Sequence, residues 1–236
     1  MGNALAWREK LEELLAPLLD FVFPPYCMFC GAHLARHECL VCYNCWFALP
    51  LTPSPGGVVH TGGAKHGQPQ HLDASVAVWR YDEQVERIIH LFKYGGYTCL
   101  ARPLGLAVGG TLVATGLCDR GDVLVPIPLH PARRRERGYN QSELLARRAA
   151  KVCGLPVETD LLRRTRYTRP QSQLGASERA KNVAGAFAVR LPAEVGGRRV
   201  ILVDDVLTTG ATASECARVL KEAGALEVFL ATAARA

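Results

Sequence analysis

The chain reads as an α/β protein, a parallel sheet with helices on its faces, preceded by a small cysteine-rich segment. Two observations carry that reading. In the second half, short β-forming runs alternate with stretches of helical periodicity, and such alternation builds parallel sheets with flanking helices. Before residue 49, five cysteines fall within nineteen residues, CMFCGAHLARHECLVCYNC. The 236 residues suffice for one domain with a full core and a small appendage.

Composition removes several classes. The chain is 49% hydrophobic and 21% charged, which excludes wholesale disorder, and no stretch is apolar and long enough to span a membrane. The net charge of +6 is unevenly spread: His130 to Arg190 holds fourteen Lys/Arg against five Asp/Glu. This local excess suits phosphorylated ligands or nucleic acid, although many charged faces are merely solvated.

Leu11, Leu14, Leu15, Leu18, Leu19 and Val22 form one face of a short amphipathic helix, expected to pack on its own protein. Arg8, Glu9, Lys10, Glu12 and Glu13 interrupt the stretch, and Pro24-Pro25 follow it, so it is a poor secretory signal. The protein is accordingly expected in a reducing cytoplasm, with its nine cysteines as thiols or metal ligands.

Cys27 and Cys30 make one CxxC, and Cys42 and Cys45 make a second. Two such knuckles can converge four thiolates on one tetrahedral zinc, and a small segment without a core needs that crosslink. A redox dithiol or buried free thiols would not call for two CxxC pairs in a row. Cys39, His33 and His37 compete for the same role, but two separated knuckles favour Cys27, Cys30, Cys42 and Cys45. Four protein ligands would close the site, making the zinc structural.

Residues 1–49 therefore form the N-terminal helix and metal segment, 50–72 a linker rich in Pro, Gly and His, and 73–236 the main domain. DASVAVWRYDE alternates like a strand, and Val85, Ile88, Ile89 and Phe92 recur at helical spacing before a closing Gly-Gly. Pro103 can open a helix toward Gly116. VLVPIPL is a strand, ELLARRAAKVCG a helix stopped at Gly154, and a short strand is expected before Leu161. After a polar stretch come FAV, the strand RRVILVDDV, the helix SECARVLKEAG and the strand EVFLATA.

The stretch VILVDDVLTTGAT (Val200–Thr212) carries the chemistry. Gly210 permits a sharp turn whose N–H groups, with the hydroxyls of Thr208, Thr209 and Thr212, suit a phosphate. Asp204 and Asp205 only accept hydrogen bonds and would repel that phosphate. They suit vicinal hydroxyls and any Mg²⁺ that the ligand carries. A ribose 5-phosphate meets both demands.

These residues resemble the phosphoribosyl pyrophosphate (PRPP) motif of type I phosphoribosyltransferases. The resemblance narrows to the ComF-type competence-associated family, through the doubled CxxC after FPP, LFKYGG (Leu91–Gly96), VPIPLHPARRRERGYNQSELLA (Val125–Ala146) and RTRYTRPQSQLGASERAKNVAGAF (Arg164–Phe187). It implies a type I phosphoribosyltransferase-like fold with a zinc segment, PRPP and Mg²⁺ as ligands, and a role in handling DNA taken up in natural transformation. By the same resemblance, Asp204 and Asp205 hold the ribose, and Thr208, Thr209, Gly210, Ala211 and Thr212 hold the 5′-phosphate. The loop after VPIPL, including Arg137 and Gly138, should lie near the pyrophosphate, and the stretch with Thr168, Gln171, Arg179 and Asn182 corresponds to a loop closing over PRPP.

No catalytic acid or base and no acceptor pocket are legible. Transfer of the phosphoribosyl group to a nitrogen nucleophile would proceed through an oxocarbenium-like state, with Arg, Mg²⁺ and N–H groups stabilising the leaving pyrophosphate. Two other classes of function stay open: a non-catalytic PRPP sensor or binder of single-stranded DNA along the basic stretch, with Tyr139 and Tyr167 nearby, and a zinc segment that docks other DNA-uptake proteins.

Overall fold

The computed structural model describes residues 25–52, 59–60, 71–168 and 176–236. The amphipathic helix expected over 11–22 lies outside them. The chain divides into two compact units, Met1–Leu49 and Pro50–Ala236.

In the smaller unit, an antiparallel bridge joins Tyr26 to His33, and a short helix, α1, spans Tyr43–Ala48. Buried Cys27, Leu34 and Cys42 pack with Phe29 and Cys45. Part of this small core is thus the sulfur cluster itself.

The larger unit contains β1 (Val59–His60), β2 (Ala74–Arg80), α2 (Glu83–Tyr94), α3 (Ala101–Ala114), α4 (Leu117–Arg120), β3 (Val123–Pro126), α5 (Pro131–Arg137) and α6 (Gln141–Cys153). It continues with β4 (Leu162–Arg164), α7 (Ala176–Val183), β5 (Phe187–Val189), β6 (Arg199–Leu207), α8 (Ala211–Glu222) and β7 (Glu227–Arg235). Among the described residues one sheet runs β1-β2-β7-β6-β3, and β4 and β5 form a separate two-stranded pair. β2, β7, β6 and β3 are mutually parallel, as the strand–helix alternation predicts, whereas β1 joins β2 antiparallel.

Along β6, Val200 and Leu202 pack in one apolar cluster with Ala213, Cys216, Ala217 and Leu220 of α8. Successive side chains of a strand face opposite ways, so Ile201 and Val203, both fully buried, face the other side. There α6 lies against β6 and β3, and α3 against β2 and β7. Six successive residues of β2 are buried, although its sequence alternates; α3 packs on it, and it is paired on both edges, by β1 and β7. Helices α3 and α6 approach closely at Gly105, where a Cβ would sit 2.5 Å from the Cβ of Arg148.

Three local features depart from the sequence reading. Helix α3 starts at Ala101 after a 3₁₀ turn at Thr98–Leu100, so Pro103 lies within the first turn, where its missing N–H costs nothing. The short strand follows Leu161, at Leu162–Arg164. The segment after VPIPL is the helix α5 rather than a loop, capped by the His130 imidazole, which accepts from the Ala132 N–H at 3.2 Å.

Candidate functional site

Strand β3 ends at Pro126 opposite Val203 of β6, so Asp204 and Asp205 come just beyond its last paired residue. Ligands of open parallel sheets bind at this carboxyl edge. A cleft of about 240 Å³ opens there, lined by both acids and by Lys93, Arg133, Arg137 and Arg164, together with Ser142, Thr208 and Thr212. Four cationic side chains against two carboxylates make it a place for an anion.

The two acids differ in environment. Asp205 is 3% exposed; its Oδ1 lies 3.0 Å from Lys93 Nζ, and its buried Oδ2 has no partner. Asp204 is only partly buried by surface area. Its Oδ1 accepts from the Ser142 hydroxyl at 2.8 Å and from the Asp205 N–H at 2.9 Å. Burial, followed by the charge of Asp205, pushes the Asp204 carboxyl up to about 7, against the opposing pull of Lys93 and Ser142. Burial works against the Lys93 ammonium, yet Asp205 and Asp204 hold it above the ordinary lysine range.

Asn140 places Ser142. Its amide donates to the Ile127 carbonyl at 3.1 Å, and its side-chain oxygen accepts from the Ser142 N–H at 3.2 Å. The cap thus ties the start of α6 to the end of β3 and sets the Ser142 hydroxyl against Asp204.

After β6 the chain turns through Thr208 and Thr209 to Gly210, whose φ of 71° is left-handed and which an L side chain would strain. Helix α8 follows with glycine at its N-cap and no acid in its first turn, so the positive end of its dipole favours an anion there. A recess of about 40 Å³ there is lined by Thr208, Gly210, Ala211, Thr212 and Asp204 among others. Thr209 lines neither space; its hydroxyl lies 3.5 Å from the Ala211 N–H.

Arg137 reaches the cleft and donates to Gln141 Oε1. Gly138, with φ 83°, stops α5 one residue later and is not among the lining residues. Thr168 is buried at the cleft margin, its hydroxyl bonded to Arg164 and its carbonyl to Arg133 at 3.2 Å. Asn182 lies on α7 with its carbonyl bonded to Arg166. Gln171 and the side chain of Arg179 lie outside the described residues.

Sequence reasoning assigned no role to Lys93, Ser142 or Arg164. Burial, then Arg133, lowers the pKa of Arg164, and its buried Nε has no partner. LFKYGG and QSELL contain Lys93 and Ser142, but pairing each with a carboxylate more than sixty residues away requires the fold.

In the smaller unit, one ligand atom from each of Cys27, Cys30, Cys42 and Cys45 lies within 4.8 Å of the others. Cys30 Sγ and Cys42 Sγ are 3.6 Å apart, close to the roughly 3.8 Å edge of a tetrahedron with Zn–S bonds of about 2.3 Å. Burial opposes the Cys27 thiolate, but the N–H groups of Cys30, Cys42 and Phe29 bring it down to about 6. Between the knuckles, Glu38 accepts from the N–H groups of Ala35 and Tyr43. The donor set fits a structural metal ion. Among the described residues Cys27, Cys30, Cys42, Cys45, Cys118, Cys153 and Cys216 are free thiols.

A phosphoribosyl transferase domain model matches residues 138–236. The chain is 32% identical over 220 residues to "Competence protein F" of Haemophilus influenzae, covering 90% of this chain and 85% of that one. It is 35% identical over 217 residues to "DNA utilization protein YhgH" of Escherichia coli K12, covering 87% and 94%. It is 32% identical over 228 residues to "Competence protein ComFC" of Bacillus subtilis, covering 91% of each. No helix among the described residues is long and apolar enough to cross a membrane.

Proposed function

We propose, from the premise that this chain belongs to the ComF-type family of phosphoribosyltransferase-domain proteins, that it binds PRPP and transfers its phosphoribosyl group to a nitrogen acceptor. One observation carries the reading: the acid pair near the end of β6 and, three residues on, the turn into α8 both open on one cationic cleft, through Asp204, Asp205, Thr208 and Thr212. Asp204 accepts from the ribose hydroxyls. The turn at Thr208–Thr212 takes the 5′-phosphate, and Arg137 and Arg164 receive the pyrophosphate. Magnesium carried by PRPP would offset further phosphate charge beside the carboxylates.

In the transfer, the nitrogen lone pair forms a bond to the anomeric carbon, and the carbon–oxygen bond to pyrophosphate breaks with its electrons leaving on oxygen. Any proton on the nitrogen passes to water. The cationic wall supplies the charge stabilisation that the leaving group needs. The test follows pyrophosphate release from PRPP and Mg²⁺ with a panel of nitrogenous acceptors. Release dependent on acceptor supports transfer; PRPP binding without release leaves a sensor.

The relatives' names, competence and DNA utilisation proteins, support a role for that chemistry in the handling of incoming DNA, which on this reading takes place in the cytoplasm. A second reading, direct binding of single-stranded DNA, is favoured by Arg134 and Arg135, both exposed on α5. The four cysteines hold zinc and order the smaller unit, which can then meet other DNA-uptake proteins.

A further inference from the structure

A second space of about 420 Å³ adjoins the cleft and shares Lys93, Tyr94, Arg133 and Arg137 with it; Glu136 and Tyr167 complete its working surface. Tyr94 and Tyr167 are 61% and 56% exposed, unusual for rings lining a concavity. Each is held from one side by a guanidinium, Arg137 over Tyr94 at 5.0 Å and Arg133 over Tyr167 at 5.6 Å. His130 meets Tyr167 edge-on at 5.2 Å. Tyr94 also packs against His90 at 5.0 Å, and with both tyrosines still exposed, a flat ligand can stack on them.

We infer that this groove is the acceptor subsite and that it takes a planar aromatic ring carrying a carboxylate and a nucleophilic nitrogen. The inference rests on the reading of the adjoining cleft as the PRPP site. Aromatic faces select a flat ring. Three cations against Glu136 select an anionic one, and a guanidinium fork matches a carboxylate. Because the two spaces share four side chains, a ring stacked here reaches the cleft in which the anomeric carbon would lie. The volume is within the range of small-molecule sites. Tyr139 also lines the groove, but its hydroxyl is committed to the Phe92 carbonyl, which anchors the wall rather than a ligand.

The test uses the full chain and begins with calorimetric titration of PRPP and Mg²⁺; no binding there would sink the parent reading and this inference with it, whereas failure of the later titrations in a chain that holds PRPP would sink this inference alone. The PRPP complex is then titrated with matched pairs: orotate and uracil, nicotinate and nicotinamide, anthranilate and aniline. At least one carboxylated ring is expected to bind about tenfold tighter than its neutral partner. Tyr167 lines the groove but not the cleft. Tyr167→Ala should weaken that ring about tenfold, Tyr167→Phe should restore it, and PRPP affinity should be unchanged in both. Neutral rings binding equally, no ring binding to a complex that holds PRPP, or insensitivity to Tyr167→Ala would each overturn the inference. So would an oligothymidylate that binds through Tyr167 while no carboxylated ring does; the groove would then serve a strand.

Discussion

Lys93 Nζ and Asp205 Oδ1 meet at 3.0 Å, joining the end of α2 to β6 at the floor of the cleft. The ammonium pairs with a nearly buried carboxylate, and on the proposed reading the two acids divide their work: Asp205 anchors Lys93 and Asp204 faces the ligand. Lys93→Met should destabilise the protein by up to about 3–5 kcal/mol, because a buried charge loses its partner. Adding Asp205→Asn should recover part of that loss. Urea unfolding of the single variants and the double variant measures it, and simple additivity would show that the pair is not coupled.

The raised pKa of Asp204 predicts two opposite pH trends. Its folded value of about 7 exceeds an unfolded value near 3.9, so the folded state binds the proton more tightly. Stability of the ligand-free protein should therefore fall as pH rises from about 4 through 7. PRPP binding needs the ionised acceptor and should strengthen between about pH 6 and 8. Asp204→Asn should flatten both profiles in thermal melts and calorimetry.

The order of strands and helices was legible because buried parallel strands are apolar runs and their helices carry period 3.6. Helix α5 was not: PARRRER has no apolar face, so only His130, Pro131 and Gly138 marked it, and caps alone read as a loop. Asp204, Asp205, Thr208 and Thr212 were legible because one short run carries them. Lys93, Ser142 and Arg164 reach the cleft from three other elements, and pairings across the sheet leave no local signal.

The four sulfurs predict about one zinc per chain. A Cys27→Ser/Cys45→Ser double variant should lose it and loosen the smaller unit, while PRPP binding by the larger unit persists. Cys39→Ser should keep the metal, because Cys39 stands outside the cluster. Elemental analysis of the purified variants decides this, and full zinc in the double variant would remove the assignment.

If the outer face of α5 follows a single strand, Arg134→Ala/Arg135→Ala should reduce the salt dependence of binding by roughly 0.7 in log–log slope per lost phosphate contact. Arg133 is left intact because it lines the cleft and bonds the Thr168 carbonyl. PRPP affinity should not change. Absence of any strand binding at low salt would leave the PRPP reading alone.

The two ends of the β6 motif should separate by ligand. Asp204→Asn keeps the shape but removes the charge that accepts hydroxyl protons. Hydrogen bonds to a charged group are worth about 1.5–3 kcal/mol each, so PRPP should bind at least about tenfold more weakly. Inorganic phosphate at the turn should bind no worse, since a nearby negative charge is gone. Thr208→Val should do the reverse, weakening phosphate and PRPP alike, because Thr208 lines both the recess and the cleft. Thr209→Val should matter less, as its side chain reaches neither. Titrating both ligands against the three variants reads the division directly. Equal loss of phosphate and PRPP in a folded Asp204→Asn protein would show that the acid supports the turn and does not hold the sugar.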